Sequence, residues 1–251
     1  MVSAGLFAIT FATLLLEILD SRLLSVLTWY HLSFLAISLA MLGMAGGAIR
    51  VFLSGAEAAA PAASRLPRLC LAFALAMAAT HVVALCIPLS VQPPTSVVGL
   101  ASLATTIAAL TVPFYFSGMI VTIVLTRATT ALGRLYAWDL AGAAFGCLSV
   151  VPLLDSGRFN VSSLVLLGAA VAALGGWCFS VAAGGRRSRV ALALAAVLAA
   201  GAMANGTGRA GLEIAYTKNR QFWRSPNTDR TIWNSHSFVV VQKPGRWEPF
   251  L

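Results

Sequence analysis

The sequence predicts an all-α membrane protein, a polytopic bundle of about seven transmembrane helices with a short strand-containing C-terminal tail. The first observation is composition: 59% of the residues are hydrophobic and 10% are charged, whereas a globular domain carries roughly 25% charged residues. The second is that the apolar residues form continuous stretches of about 20, the helix length that crosses a bilayer core of about 30 Å. Together they exclude an ordinary soluble enzyme, a disordered chain and a β-barrel of alternating strands.

The predicted spans differ in how well their length and composition fit a single membrane crossing. They are Ser3–Leu27, Leu32–Leu53, Leu69–Leu89, Val97–Leu125, Leu135–Leu154, Val161–Ala183 and Val190–Ala204. The fourth is too long for a straight crossing and contains Pro113, so we expect it to tilt or kink. The seventh is short and rich in alanine, which makes it the weakest of the set. Residues 1–205 therefore form the predicted membrane domain, and residues 206–251 form a basic tail.

Positive charge alternates between the links that join the spans. The second, fourth and sixth links hold eight arginines when Arg50 is counted, whereas the odd links hold one or two. The positive-inside bias places the even links and the N-terminus in the cytoplasm of a bacterial inner (plasma) membrane. Seven spans would leave the tail outside, and six would leave it in the cytoplasm. The net charge of +9 is better explained by membrane orientation and anionic lipid than by nucleic acid, which we do not expect as a partner.

The sequence contains no recognisable catalytic or cofactor motif. Its four cysteines lie singly in separate apolar stretches, so no metal site or disulfide framework is predicted. No glycine-rich loop follows a strand, and no Ser/His/Asp set or acidic pair is placed for catalysis. We therefore predict no catalytic residue, no metal and no cofactor.

Five ionisable residues lie within the spans, where such groups are costly and therefore functional candidates. They are Glu17, Asp20, Arg22, His81 and Asp139. At about 1.5 Å per residue, Glu17 and His81 both lie about 20 Å from the cytoplasmic side and could meet in the outer half of the bilayer. Asp20 and Arg22 lie near the outer end of the first span, and Asp139 lies near the inner face.

Structural pairing competes with a substrate or proton pathway as the role of these residues. Glu17 could bond Ser21 one turn later or pair with Arg22. Asp139 could cap a neighbouring helix or pair with Arg127 or Arg134.

Two glycine pairs predict close helix packing. Gly43 and Gly47 in the second span, and Gly142 and Gly146 in the fifth, are each separated by three residues. This spacing places two small residues on one helix face and lets a neighbouring helix approach closely.

The tail differs from the rest of the chain in composition. It has seven Lys and Arg, three Asp and Glu, and three tryptophans, Trp223, Trp233 and Trp247. Phe238–Val241 predicts one strand, followed by a turn over residues 243–246. A segment this short cannot bury a core of its own. We therefore expect it to pack against the membrane domain or a partner. Partner-contact candidates are the three tryptophans and Phe238.

Several stretches together resemble the membrane-embedded spermidine synthase-like proteins of bacteria. They are Glu17–Leu24, Trp29–Ser38, Gly43–Gly47, Pro113–Gly118, Gly133–Leu148 and Trp233–Ser237. The resemblance implies an N-terminal multi-helix membrane domain, a short β-hairpin element and a Rossmann-type aminopropyltransferase-like domain. The family has Trp-Asn-Ser-Phe-Ser-Arg where this chain has His236 and Phe238. The nucleotide-binding domain has no counterpart here, so the resemblance transfers no catalytic residue.

The expected function is that of a non-catalytic membrane scaffold or anchor. The chain would be the membrane domain of a spermidine synthase-like protein, truncated or split, or an accessory subunit of a larger membrane complex. Its partners would be the lipid bilayer and other membrane subunits, or a catalytic domain encoded elsewhere. The alternative is a membrane carrier for a small cationic solute such as a polyamine, met by Glu17, Asp20 and Asp139, with Tyr115 and Trp138 offering cation–π faces.

Overall fold

The computed structural model describes seven helices and two small hairpins. The described residues are 1–28, 33–54, 62–87, 96–127, 132–184, 188–206, 211–212, 214, 216–217, 220–221, 228–234 and 237–242. The helices are α1 (Val2–Leu27), α2 (Ser33–Leu53), α3 (Ala62–Cys86), α4 (Val97–Thr126), α5 (Leu132–Asp155), α6 (Val161–Ala182) and α7 (Ser188–Gly206). All seven are long and apolar enough to cross a membrane, which confirms the predicted fold class.

The helix ends lie close to the predicted ends, with one clear exception. Helix α3 begins at Ala62, seven residues before the predicted start, and includes Pro67. Pro67 is the sixth residue of α3, so its missing N–H removes one backbone hydrogen bond in the second turn of the helix. Helix α4 runs through Pro113 as one element of 30 residues, about 45 Å long at 1.5 Å per residue. Helix α7 has 19 residues, so the weakest predicted span is long enough to cross.

Helix α1 lies at the centre of the bundle. It packs against α2, α4, α5 and α6, while α3 packs against α4 and α6, and α7 packs against α6. Helices α1 and α6 are the most buried, and α5 and α2 are among the least buried. The large fully buried side chains, among them Leu16, Leu19, Phe73 and Phe114, belong to α1, α3 and α4, apart from Leu154 of α5. The core therefore surrounds α1.

The two glycine pairs lie where helices approach most closely. A Cβ on Gly43 would come within 2.7 Å of the Thr111 carbonyl oxygen of α4, and one on Gly47 would collide with the Tyr115 carbonyl. Gly118 of α4 meets the Met44 backbone from the other side, a glycine that no spacing pattern had indicated. The contact of α2 with α4 is thus backbone against backbone, which only residues lacking a side chain permit.

The second pair performs the same role between α1 and α5. A Cβ on Gly146 would lie 2.5 Å from the Phe11 carbonyl oxygen, and one on Gly142 would collide with the Thr10 hydroxyl. The Thr10 hydroxyl donates to the Asp139 carbonyl oxygen at 3.0 Å, the shortest of its three acceptor contacts. Helix α5 is thereby held directly against α1.

The tail contains more strand than predicted. Strands β1 (Tyr216–Thr217) and β2 (Arg220–Gln221) pair antiparallel, as do β3 (Thr228–Trp233) and β4 (Phe238–Gln242). The predicted strand Phe238–Val241 is confirmed as β4, whereas β1, β2 and β3 were not predicted. In β3 the consecutive charges Asp229 and Arg230 interrupt the apolar alternation by which a half-buried strand is recognised. Strand β3 is defined by its antiparallel pairing with β4, which the local sequence does not reveal.

Candidate functional site

Glu17 lies on α1 close to α5. Its side chain is partly exposed and makes no hydrogen bond or ion pair with any residue that the structure describes. It lies close enough to interact electrostatically with Asp20, three residues later, and with Cys147 of α5. The expected bonds to Ser21 and Arg22 are absent, so Glu17 is not explained as half of a structural pair.

Asp20 is the most buried of the acidic residues. Only 2% of it is exposed, and its Oδ2 atom has no hydrogen-bond partner in the described part of the chain. A buried polar atom without a partner costs about 1–3 kcal/mol. A buried polar group without a partner calls for an explanation beyond packing, and an ionisable residue within a membrane span is a functional candidate, so Asp20 remains one.

Arg22 and Asp139 stand apart from this acidic pair. Arg22 is partly exposed near the end of α1, and its side chain forms no ion pair within the described ranges. The backbone carbonyl of Asp139, on α5, accepts a hydrogen bond from Thr10 of α1. Thr10 lies two helical turns before Glu17 on α1. Its carboxylate bonds neither Arg127 nor Arg134 in the described structure. Depth thus separates Asp139 from Glu17, as the sequence spacing had suggested.

His81 turns toward α6 and not toward Glu17. Its Nε2 atom lies 2.9 Å from the Ser162 hydroxyl, while its Nδ1 atom is buried without a partner among the described residues. The imidazole and the hydroxyl are 2% and 4% exposed. His81 and Ser162 therefore join α3 to the first turn of α6, a pairing that spans 81 residues and that no local motif could indicate.

Removing the Ser162 hydroxyl should destabilise the bundle. Ser162→Ala leaves both nitrogens of the buried His81 ring without a partner, so we expect a loss of about 1–3 kcal/mol in unfolding free energy. Thermal unfolding of the purified protein in detergent measures this. The matched control is Ser180→Ala, because the Ser180 hydroxyl is equally buried and already has no partner among the described residues. A Ser180→Ala loss as large as that of Ser162→Ala would contradict the assignment.

A polar contact missed by the sequence analysis links α1 to α4. The hydroxyls of Thr13 and Ser117 lie 2.6 Å apart and are almost fully buried. Isolated Thr and Ser within apolar spans are common and usually bond their own helix, so neither residue had stood out.

A second missed cluster attaches the tail to the bundle. The Asn160 Oδ1 atom, before α6, accepts hydrogen bonds from the Ser163 amide and hydroxyl and from the Asn205 side chain of α7. Asn205 also accepts from the Leu212 amide at 2.8 Å and donates to the Leu212 carbonyl at 3.3 Å. One buried side-chain amide thus holds the chain as it leaves α7. We call these four residues the Asn205 latch.

Beyond the latch, the tail packs against the end of the bundle. Ile214 is 4% exposed, and Trp233 packs against the hydrophobic core while its ring centroid lies 4.8 Å from that of Phe238. Trp233 therefore attaches the hairpin β3–β4 to the bundle, while its ring contact with Phe238 joins the two strands. Trp223 and Trp247, two other partner-contact candidates, lie outside the described residues.

Among the described residues, no group of three or more His, Cys, Asp and Glu lies together as a metal site would require. No protein-family model, curated protein or solved structure matches the chain. The fold defines a multi-pass helical bundle with an attached hairpin segment, and no family is assigned to it.

Proposed function

We propose that this chain is a non-catalytic membrane scaffold that holds its C-terminal segment at one end of a seven-helix bundle for attachment to another protein. The observation that carries the proposal is the Asn205 latch, together with the burial of Ile214 and the packing of the partly buried Trp233 against the bundle. A segment fixed in this way presents β3 and β4 in a defined position. Such a position suits a partner or domain that must be kept beside the membrane.

The resemblance to spermidine synthase-like proteins supports the same role. In that family a hairpin element lies between a membrane domain and an aminopropyltransferase-like domain, and here the hairpin β3–β4 follows the helices in the same order. The chain would then be the membrane part of such a system or an accessory subunit of a larger complex. Its membrane would be the bacterial inner membrane, with the N-terminus in the cytoplasm.

Purification from native membranes tests the scaffold role. Affinity-tagged full-length chain should carry at least one other membrane or membrane-associated protein at fixed stoichiometry. A variant ending at Gly206 should lose that protein while its seven helices remain folded. Purification of the full-length chain alone, or turnover of an adenosyl substrate by the chain unaided, would remove the proposal.

A carrier for a small cationic solute is the second candidate, favoured by the unpartnered Oδ2 of Asp20. A buried carboxylate oxygen can accept hydrogen bonds from an amine or ammonium group. Proteoliposomes that hold the purified chain should then take up a labelled polyamine, and Asp20→Asn should abolish the uptake. Uptake by the unaltered chain that does not exceed that of empty liposomes, or that is unchanged by Asp20→Asn, removes this candidate.

A further inference from the structure

A polar stripe with one acidic residue runs along one face of the C-terminal half of α1. Glu17, Ser21 and Ser25 are four residues apart, so they lie above one another on the same helix face. All three are partly exposed. Glu17 lies only about 4 Å from the midpoint of α1 at 1.5 Å per residue, which places its carboxyl well inside the hydrocarbon. We call these three residues the Glu17 face.

The Glu17 face is bordered by the least buried helix of the bundle. Cys147 of α5 lies near Glu17 and is partly exposed, as is Ser149. Helix α5 packs mainly on α1 and makes few contacts with α4 and α6. Its outer side chains, such as Leu148 at 71% exposed, point away from the bundle. A further helix therefore has room to lie beside α1 and α5.

The charge on this face is not balanced within the described chain. Glu17 has no ion pair there, Asp20 adds a second carboxyl within electrostatic range, and Arg22 pairs with neither. A charged group in the bilayer core costs several kcal/mol unless it is paired, and such residues generally pair with one another. A basic side chain at the depth of Glu17 is the complementary group.

We propose that the Glu17 face docks a transmembrane helix of a partner subunit that carries a lysine or arginine at mid-membrane depth. This inference rests on the proposed scaffold function: the Glu17 face would be the place within the membrane where the scaffold contacts its partner. Ser21 and Ser25 are small, which allows close approach of a neighbouring helix. The salt bridge with Glu17 then specifies which helix binds.

The geometry disfavours a second copy of this chain as the occupant. Two copies related by an axis normal to the membrane would place Glu17 at the same depth as its equivalent, bringing like charges together. Arg22 lies about 7.5 Å further along the helix, where its side chain extends toward the interface. Lipid headgroup amines remain at the membrane surface and do not reach Glu17.

Cross-linking from Cys147 in native membranes tests the proposal. One variant keeps Cys147 as its only cysteine, and the matched control keeps only Cys86, which is exposed on α3. A membrane-permeable thiol-to-amine or thiol-to-photoreactive reagent should join Cys147, and not Cys86, to an apolar partner segment that contains Lys or Arg. Glu17→Gln should lower the yield and the co-purification by about tenfold.

Changes on the partner separate a contact from a folding defect. Replacing the partner's basic residue with leucine leaves this chain intact and should cause the same loss. Glu17→Lys combined with a change of that residue to glutamate should restore binding.

Four outcomes overturn the proposal: cross-links from Cys147 only to this chain or to lipid, no cross-link while a partner co-purifies, a partner segment without a basic residue, or unchanged binding by Glu17→Gln. If a partner still co-purifies with the Glu17→Gln variant but is lost when the tail is removed, the Glu17 contact is refuted and the scaffold function stands. A full-length chain without any partner would refute both.

Discussion

Gly47→Ala is expected to lower the stability of the bundle by about 1–3 kcal/mol, the usual cost of overpacking a tight contact. The added methyl would collide with the Tyr115 carbonyl and come within 2.8 Å of the Met119 amide nitrogen. These are backbone atoms of α4, so the clash cannot be relieved by a side-chain rotation. Helices α2 and α4 must separate, and the contacts along their shared face weaken.

Gly133→Ala is the matched control for this substitution. Gly133 also lies in a transmembrane helix, but a Cβ there would meet nothing within 4 Å. Gly133 is the second residue of α5, and alanine is a better helix former than glycine, so this variant should be as stable as the parent or slightly more so. Thermal unfolding in detergent compares the two. Equal stability of both variants would contradict close packing at Gly47.

Asn205→Ala is expected to release the tail from the bundle. The substitution leaves the Leu212 amide and carbonyl without their partner and removes one donor from Asn160. Each buried polar group left unpaired costs about 1–3 kcal/mol. The chain beyond Gly206 should then be cleaved by a protease about tenfold faster or more, while the helices stay intact.

Limited proteolysis in proteoliposomes measures this release. Ser156→Ala serves as the control, because its hydroxyl donates to the Leu153 carbonyl of the preceding helix and takes no part in the latch. Rapid loss of the tail in Asn205→Ala alone supports the latch. Equal cleavage rates in the two variants would show that Asn205 does not hold the tail.

Most of the helical fold could be predicted because its signals are local. A run of about 20 apolar residues identifies a span wherever it occurs, so α4, α5 and α6 were located to within three residues at each end. Glycine spacing likewise identified the face of α2 that meets α4. Gly118, by contrast, has no glycine four residues away and could be found only from the packing of α4 on Met44.

The polar contacts could not be predicted because their partners are distant in sequence. Asn205 bonds Asn160 across 45 residues, and His81 bonds Ser162 across 81. An asparagine near a helix end and a histidine within a span have many ordinary roles, and only the fold selects one. For Glu17 the sequence suggested a partner on the same helix, but its carboxyl makes no hydrogen bond or ion pair with the residues that the structure describes.

The orientation of the tail has a direct consequence for the resemblance to spermidine synthase-like proteins. An odd number of spans places the two ends of the chain on opposite sides of the membrane. The proposed cytoplasmic N-terminus then leaves the tail outside. Decarboxylated S-adenosylmethionine, the cytoplasmic aminopropyl donor in that family, would not reach a domain attached there. Whatever the tail holds would then be something other than a cytosolic aminopropyltransferase.

Reporter fusions at the two ends of the chain test the seven-span scaffold most directly. Alkaline phosphatase, which is active only outside the cytoplasm, should be active when fused after Leu251. A fluorescent protein that matures in the cytoplasm should be bright when fused before Met1. If the phosphatase after Leu251 is inactive, and a fluorescent protein at the same position is bright while the N-terminal fusion is also bright, both ends lie in the cytoplasm and the chain does not cross the membrane seven times.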